Sequence, residues 1–231
     1  MGISFIVPAY NEAENLLLLL PSLNEIANKL SDRYELIVID AKASSDNTEE
    51  ICLKNNALYF RQKKEGYGDA FRTGISLCRF EHICVVDSDN SQDISKIPEM
   101  YDEIKKGAQL VIGSRYTEGG KTNDPSESVF MSKLLNLCYR IILGFRQKDI
   151  STDFRIYEAE KLKAITTVCA NFDVVEETLF LLIKKFPKIQ IKEIPISYNP
   201  RLKGKSKRKL LKFIIDYIRL IFRLIKLKKG E

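Results

Sequence analysis

The sequence predicts an α/β fold with a mostly parallel, Rossmann-like sheet flanked by helices. Two observations carry this. Short apolar runs alternate with helix-length segments through the first half of the chain, the spacing of βαβ units. The runs are almost continuously apolar, as expected of strands covered on both faces. A chain of 231 residues buries a substantial core as one domain, or one domain with an appendage. With 45% hydrophobic and 29% charged residues, the composition excludes wholesale disorder, collagen and a small disulfide scaffold.

Each element has a local reason. ISFIVP (3–8) is a strand stopped by Pro8, and Asn11 is expected to cap a helix with Glu12 and Glu14 in its first turn. That helix runs to about Leu30. ELIVID (35–40) is the second strand and Ser44–Asn56 the second helix; ALYFR (57–61) is the third strand. A glycine-bearing loop leads into a helix from Asp69 to about Cys78. HICVVD (82–87) and QLVIGS (109–114) are further strands on either side of a helix near 95–106. The polar segment YTEGGKTNDPSES (116–128) is a candidate mobile lid.

Ligands of such folds gather at the carboxyl ends of the strands. Polar clusters stand there: PAYNE after the first strand, DAKASSD after the second, DSDNSQD after the fourth and GSRY after the fifth. The DSD at 87–89 offers hard oxygen ligands to Mg²⁺ or Mn²⁺. With 13 Asp in the chain, roughly 0.7 such pairs arise by chance, so its place at a strand end is what makes it informative. In GYGDAFRTG (66–74), Gly66 and Gly68 would let backbone approach a ligand, and Arg72 would neutralise phosphate. The alternative is a flexible turn before a helix.

Charge is uneven. Residues 199–231 carry a net of +10 and the other 198 a net of −4, a mildly acidic domain with a basic tail. Boundaries at 1–208 and 209–231 follow. Between Lys209 and Lys226 the charged residues recur at a 3-4-3-4-3 spacing and occupy an arc of roughly 100°, with apolar side chains covering nearly all the rest. This amphipathic basic helix fits an anionic membrane surface, and packing on its own domain or on a partner stays open. VFMSKLLNLCYRIILGF (129–145) is a second apolar segment able to touch lipid. Aliphatic side chains between the basic ones argue against nucleic acid. No uninterrupted run reaches 18 apolar residues, and GISFIVPAY reads as a strand rather than a targeting segment. The lone His82 excludes a His-rich metal cluster, and five cysteines without a CxxC pair read as core thiols of a reducing compartment.

Taken in order, PAYNE, Asp40 with ASSDNT (43–48), GYGDAFRTG, DSDNSQD, GSRY with a following GG, DISTDFRIY (149–157) and RLKGKSK (201–207) resemble the family-two glycosyltransferases of the GT-A fold. The nearest subgroup is that of the dolichyl- and polyprenyl-phosphate sugar transferases. The resemblance implies that Pro8, Tyr10, Asn11, Glu12 and Asp40 line the nucleotide, helped by Arg72. Asp87 and Asp89, with Ser91, would hold a divalent cation on the diphosphate, Asp89 having a catalytic role. Arg115 would meet the acceptor phosphate and act in catalysis, near Ser132 and Lys133, while Arg201, Ser206 and Lys207 would close over the phosphates.

Three departures stand out. IDAKASSDNT puts Ala41 or Lys42 where an acid is usual, Asp153 replaces a glycine, and Ser128 and Val129 stand where relatives often carry arginine. The QxxRW segment of processive synthases is absent. The implied activity is inverting, metal-dependent transfer of a hexose from a GDP- or UDP-linked sugar to a polyprenyl phosphate, by a peripheral protein on the cytoplasmic membrane face. One alternative is transfer to a hydroxyl of a growing glycan, which needs a general base such as Asp173, Glu176 or Glu177. Another is a silent membrane-docked binding module. A membrane-protein partner or a homo-oligomer stays open.

Overall fold

The computed structural model describes residues 1–203 and 210–229, with backbone alone for 210–215. In chain order the elements are β1 (Ile3–Ala9), α1 (Ala13–Leu30), β2 (Tyr34–Asp40), α2 (Thr48–Lys54), β3 (Leu58–Arg61), α3 (Tyr67–Leu77), β4 (His82–Val85), a 3-10 turn (Ile94–Lys96) and α4 (Ile97–Lys105). Then come β5 (Leu110–Ser114), β6 (Lys121–Thr122), α5 (Ser126–Leu143), β7 (Arg155–Glu158), α6 (Ala159–Lys163), α7 (Val174–Lys185), β8 (Ile191–Pro195), β9 (Ser197–Tyr198) and α8 (Leu210–Lys229).

Seven strands form one sheet in the order β3-β2-β1-β4-β7-β5-β8, and β6 pairs with β9 beside it. All neighbours in the large sheet are parallel except β7, which runs antiparallel to both β4 and β5. Alternation along each strand divides the core. Phe5 and Val7, Leu36 and Val38, and Cys84 face the layer of α1, α2 and α4. Ile6, Ile37, Ile39, Ile83 and Val85 face α3, α5, α7 and α8. Gly74 lets α3 lie against β1, since a Cβ there would stand 2.5 Å from Ile6 Cγ2. His82 opens β4, at the edge opposite the DSD cluster, packed edge-on to Tyr101.

The helix starts differ from the sequence expectation for a shared reason. Asn11 does not cap α1; it adopts a positive φ of 51° and its Oδ1 accepts from the Ser45 N–H at 2.8 Å. The α1 start is capped across the site instead, where Asp46 accepts the Ala13 N–H at 2.8 Å. Asp46 also accepts the Thr48 hydroxyl at 2.7 Å, so residues 44–47 remain a loop and α2 begins only at Thr48. The 116–128 segment, expected as a mobile lid, is fastened. Lys121 and Asn123 donate their N–H groups to the carbonyls of Ile196 and Tyr198, each at 2.9 Å, before α5 begins at Ser126.

The C-terminal helix α8 packs on its own domain. Tyr217, Leu220 and Leu224 enter the core beside α5 and α7, and the Tyr217 ring meets Tyr139 edge-on at 6.4 Å. Part of its charged stripe is spent on this docking: Arg223 pairs with the buried Glu177 at 2.6 Å, and Asp216 accepts from Asn171 at 2.7 Å. Its outward side chains include Ile218 and Phe222, the latter 64% exposed.

The acids of FDVVEE lie beneath this contact. Glu177 accepts the N–H groups of Val168 and Cys169, and Asp173 that of Asn171. Glu176 is fully buried, with Tyr217 of α8 beside its carboxyl group. Burial pushes its pKa up to about 8, against 4.5 for an ordinary glutamate, so the folded protein holds it protonated. The stability contributed by that proton is fully present below pH 4.5 and is lost as pH rises through about 8. Glu176→Gln should therefore raise the melting temperature by several degrees at pH 8, for on the order of 1–3 kcal/mol, with the gap closing toward pH 5. Melting curves that run parallel across this range would show that Glu176 is ionised in the fold.

Candidate functional site

Two polar clusters share the edge where the parallel strands end. The first is acidic and follows β1 and β4. Asp89 Oδ1 accepts the backbone N–H of Ser91 at 3.0 Å and its hydroxyl at 2.5 Å. The turn between them is made by Asn90 at a φ of 59°, with its side chain donating to the Asn15 carbonyl at 3.0 Å. Arg201 arrives on the segment after β9 and bridges two carboxylates, at 3.0 Å to Glu12 and 3.2 Å to Asp89. The same segment is clipped to the DSD loop by backbone bonds, Asn199 N–H to Ser91 O at 2.8 Å and Leu202 N–H to Asp89 O at 3.1 Å. Asp87, half-buried, is held through its own N–H, which donates to Gln92 Oε1 at 2.9 Å.

The second cluster is cationic and surrounds Arg115, just past β5. Its guanidinium makes a bidentate pair with Asp149, both bonds 2.8 Å. One of its nitrogens also reaches the hydroxyls of Ser151 at 2.9 Å and Ser132 at 3.4 Å. The ring of Tyr116 lies 4.9 Å and that of Tyr198 5.4 Å from its charge. Burial works against the charge of Arg115, but the Asp149 carboxylate more than reverses this, so the group stays cationic. Lys133, exposed on α5, stands over the Tyr116 ring at 5.6 Å. Tyr198 joins the two clusters, pairing with Gln92 through a β-bridge and offering its ring to Arg115.

The remaining candidates fall in three groups. Pro8 is buried in β1 opposite Ile39, Tyr10 is 42% exposed beyond it, and Asn11 is spent on the Ser44–Ser45 turn. Asp40 closes the floor: Oδ2 accepts the Tyr59 hydroxyl at 3.0 Å, and the buried Oδ1 has no hydrogen-bond partner among the described residues. Burial raises its pKa. Ala41, in the place of an acid, is buried beside it. Ser206 and Lys207 lie outside the described residues.

The glycine-bearing loop corrects the sequence reading. A Cβ at Gly66 would stand 2.2 Å from the Ala170 carbonyl, and one at Gly68 2.1 Å from that of Cys169. These glycines admit the chain's own 169–170 backbone rather than a ligand. Arg72 is drawn to the same segment, donating to the Cys169 carbonyl at 2.7 Å, and so tethers α3 to the loop before α7.

Sequence reasoning missed Gln92, Tyr198, Asp149 and Ser151. Asp149 and Ser151 lie in DISTDFRIY and Gln92 in DSDNSQD, but the pairing of Asp149 with Arg115 spans 34 residues and leaves no local signal. The residues present fit a divalent cation. Two carboxylates one residue apart meet the protein's share of a hard-cation site completed by phosphate oxygens and water. Arg201 already places a positive charge against Asp89. Among the described residues no three acidic, histidine or cysteine side chains form a metal-holding group, so such an ion would depend on phosphate oxygens.

Comparison with known proteins bears on the family and the fold. The chain is 32% identical over 98% of its length to a dolichol-phosphate mannosyltransferase of Pyrococcus furiosus, and spans 64% of that relative. An undecaprenyl-phosphate mannosyltransferase of Micrococcus luteus is 30% identical, over 90% of this chain and 87% of its own. A polyprenol monophosphomannose synthase of Mycolicibacterium smegmatis is 29% identical, over 87% and 79%. Among solved structures, glucosyl-3-phosphoglycerate synthase from Mycobacterium tuberculosis with Mn²⁺, UDP and phosphoglyceric acid superposes with a TM-score of 0.75. It is 17% identical, covering 97% of this chain and 78% of that one. The same enzyme with Mg²⁺ and UDP gives 0.73 at 18% identity, covering 99% and 79%. These neighbours share the GT-A fold. Residues 4–166 match the model of glycosyl transferase family 2, and the chain belongs to that family.

Proposed function

We propose that the protein transfers a hexose from a GDP- or UDP-linked sugar to a polyprenyl phosphate, with inversion, at the cytoplasmic face of a membrane. The observation that carries this reading is the pair of clusters on one sheet edge, carboxylates at Asp87 and Asp89 and cations at Arg115 and Lys133, joined by Tyr198. The curated relatives are named for transfer to or synthesis on such lipid phosphates, which supports the acceptor class.

Asp87 and Asp89, with the Ser91 hydroxyl, would hold Mg²⁺ or Mn²⁺, and that ion would absorb charge developing on the leaving diphosphate. Arg201 offers the same phosphates a guanidinium already held at Asp89 and Glu12. Asp40, at the floor below the acidic cluster, is the carboxylate that would face the nucleoside. On the acceptor side, Asp149 fixes the plane of Arg115 before any ligand arrives. Counting Lys133, the trio keeps a net charge of +1 for an incoming phosphate.

A phosphate monoester has a second pKa of about 6, is largely a dianion near neutral pH, and needs no general base. This favours a lipid phosphate over a hydroxyl. The acids available for base catalysis in FDVVEE are buried under α8, Glu177 on two backbone N–H groups and Arg223, Glu176 without solvent access.

The acceptor's hydrocarbon has a matching surface. Ser132 and Lys133 belong to α5, and the same helix exposes Phe130, Leu134, Leu137 and Ile141, the last at 73%. With Ile218 and Phe222 on α8, these would enter the interface of an anionic membrane. Among the described residues no helix is long and apolar enough to cross a membrane, so contact through these faces is the form the reading takes.

Labelled sugar offered as GDP-mannose, UDP-glucose and UDP-GlcNAc with Mn²⁺ should appear on a short polyprenyl phosphate from one donor. Failure of all three, with nucleotide still bound, would favour a hydroxyl acceptor. Asp89→Ala should lower that transfer by about 10²-fold or more while circular dichroism stays unchanged; an active, folded variant would remove the metal mechanism. Flotation with vesicles containing anionic lipid should carry the wild-type protein. The double variant Ile141→Glu, Phe222→Glu should bind them at least about tenfold more weakly. Equal flotation would move the contact elsewhere.

A further inference from the structure

Asp153 stands where the resembling family carries glycine, and the structure gives this acid a definite place. It precedes β7, whose antiparallel course brings its beginning to the edge where β1, β2 and β4 end. The side chain is buried, and both carboxylate oxygens are engaged. One accepts the hydroxyl of Tyr67, and the other accepts Gln92 Nε2 at 2.8 Å. A carboxylate buried without such donors would be strongly disfavoured as an ion.

Each donor leads to a separate part of the site. Gln92, itself buried, has its amide fixed in one orientation, since Nε2 faces the acceptor at Asp153 and Oε1 faces a donor. That donor is the backbone N–H of Asp87, at 2.9 Å. Tyr67 opens α3 directly after the glycine-bearing loop, and its ring stacks on Phe172 at 4.3 Å. Burial, then Asp153 and then Asp87, raises the pKa of its hydroxyl.

We propose that Asp153 is a positioning residue for the cation-binding carboxylate: by fixing the Gln92 amide it sets the backbone from which Asp87 projects, and through Tyr67 it braces that loop against α3. This rests on the reading of Asp87 and Asp89 as the divalent-cation site. Asp153 is read as acting through Gln92 and Tyr67, since each of its oxygens accepts a hydrogen bond from one of them. A glycine at this position would leave Gln92 Nε2 and the Tyr67 hydroxyl to find other partners, and the amide free to turn over.

The test is Mn²⁺ binding followed by electron paramagnetic resonance in the presence of GDP or UDP, on wild type, Asp153→Gly, Asp153→Asn, Gln92→Leu and the Asp153→Gly, Gln92→Leu double variant. Asp153→Gly should weaken Mn²⁺ binding by about tenfold or more in protein that circular dichroism shows to be folded. Asp153→Asn, whose amide still accepts from Gln92 and can donate to the Tyr67 oxygen, should restore most of it. Gln92→Leu should reproduce the loss, and the double variant should be no weaker than either single one, as expected of residues on one path. Wild-type affinity in Asp153→Gly or Gln92→Leu, or losses that multiply in the double variant, would overturn the inference. A wild-type protein that bound no Mn²⁺ with either diphosphate would instead overturn the cation-site reading on which it rests.

Discussion

The site depends on the antiparallel insertion of β7 between β4 and β5. In a sheet of parallel strands only the connections leaving the carboxyl ends reach the ligand edge. Because β7 runs the other way, the connection entering it, residues 149–154, reaches that edge as well. From it come Asp149 for Arg115, Ser151 for the same guanidinium, and Asp153 for Gln92 and Tyr67. Arg155, fully buried, pins this connection by donating to the Ile150 carbonyl at 2.5 Å and to the Val175 carbonyl at 3.0 Å. One buried cation thus fixes the segment that orients a second, largely buried one, Arg115.

Charge at the site is separated in space and locally balanced. The acids after β1 and β4 meet Arg201, while the cation after β5 meets Asp149. Each balance lowers the cost of holding like charges together before a ligand is present. Under the proposed function the site would bring together a sugar nucleotide and a phosphate acceptor, both anionic, and would need positive charge that does not repel itself. The bidentate Arg115–Asp149 pair and the Arg201 bridge meet that need by fixing geometry first.

The basic tail follows the same economy. Its pattern fits a membrane surface and leaves packing on its own domain open; in the structure Asp216 and Arg223 dock α8 on the loop before α7 and on Glu177. Leu220 and Leu224 enter the core, and apolar side chains of α8 and α5 are left outward. Any attraction to a membrane through these helices therefore combines exposed apolar area with the charges that remain, Lys133 and Arg140 on α5 and Arg219 and Lys226 on α8.

By itself the sequence determined the α/β class, the placement of β1 to β5, and the DSD, PAYNE and GSRY clusters at strand ends. Those features are written in short-range patterns: apolar runs of strand length and polar residues immediately after a strand. Only the tertiary structure decided which polar residues meet. The Arg115–Asp149 pair, the Gln92–Asp153 contact and the bridge of Arg201 to Glu12 and Asp89 join residues 34 to 189 positions apart. It likewise decided that Gly66 and Gly68 admit the chain's own backbone, that Asp46 rather than Asn11 caps α1, and that Arg223 faces Glu177. An antiparallel strand as short as RIYE carries no local mark of the neighbours it will pair with. Its partners are set by burial of Ile156 and Tyr157 in the two layers of the core, a constraint that exists only once those layers have formed.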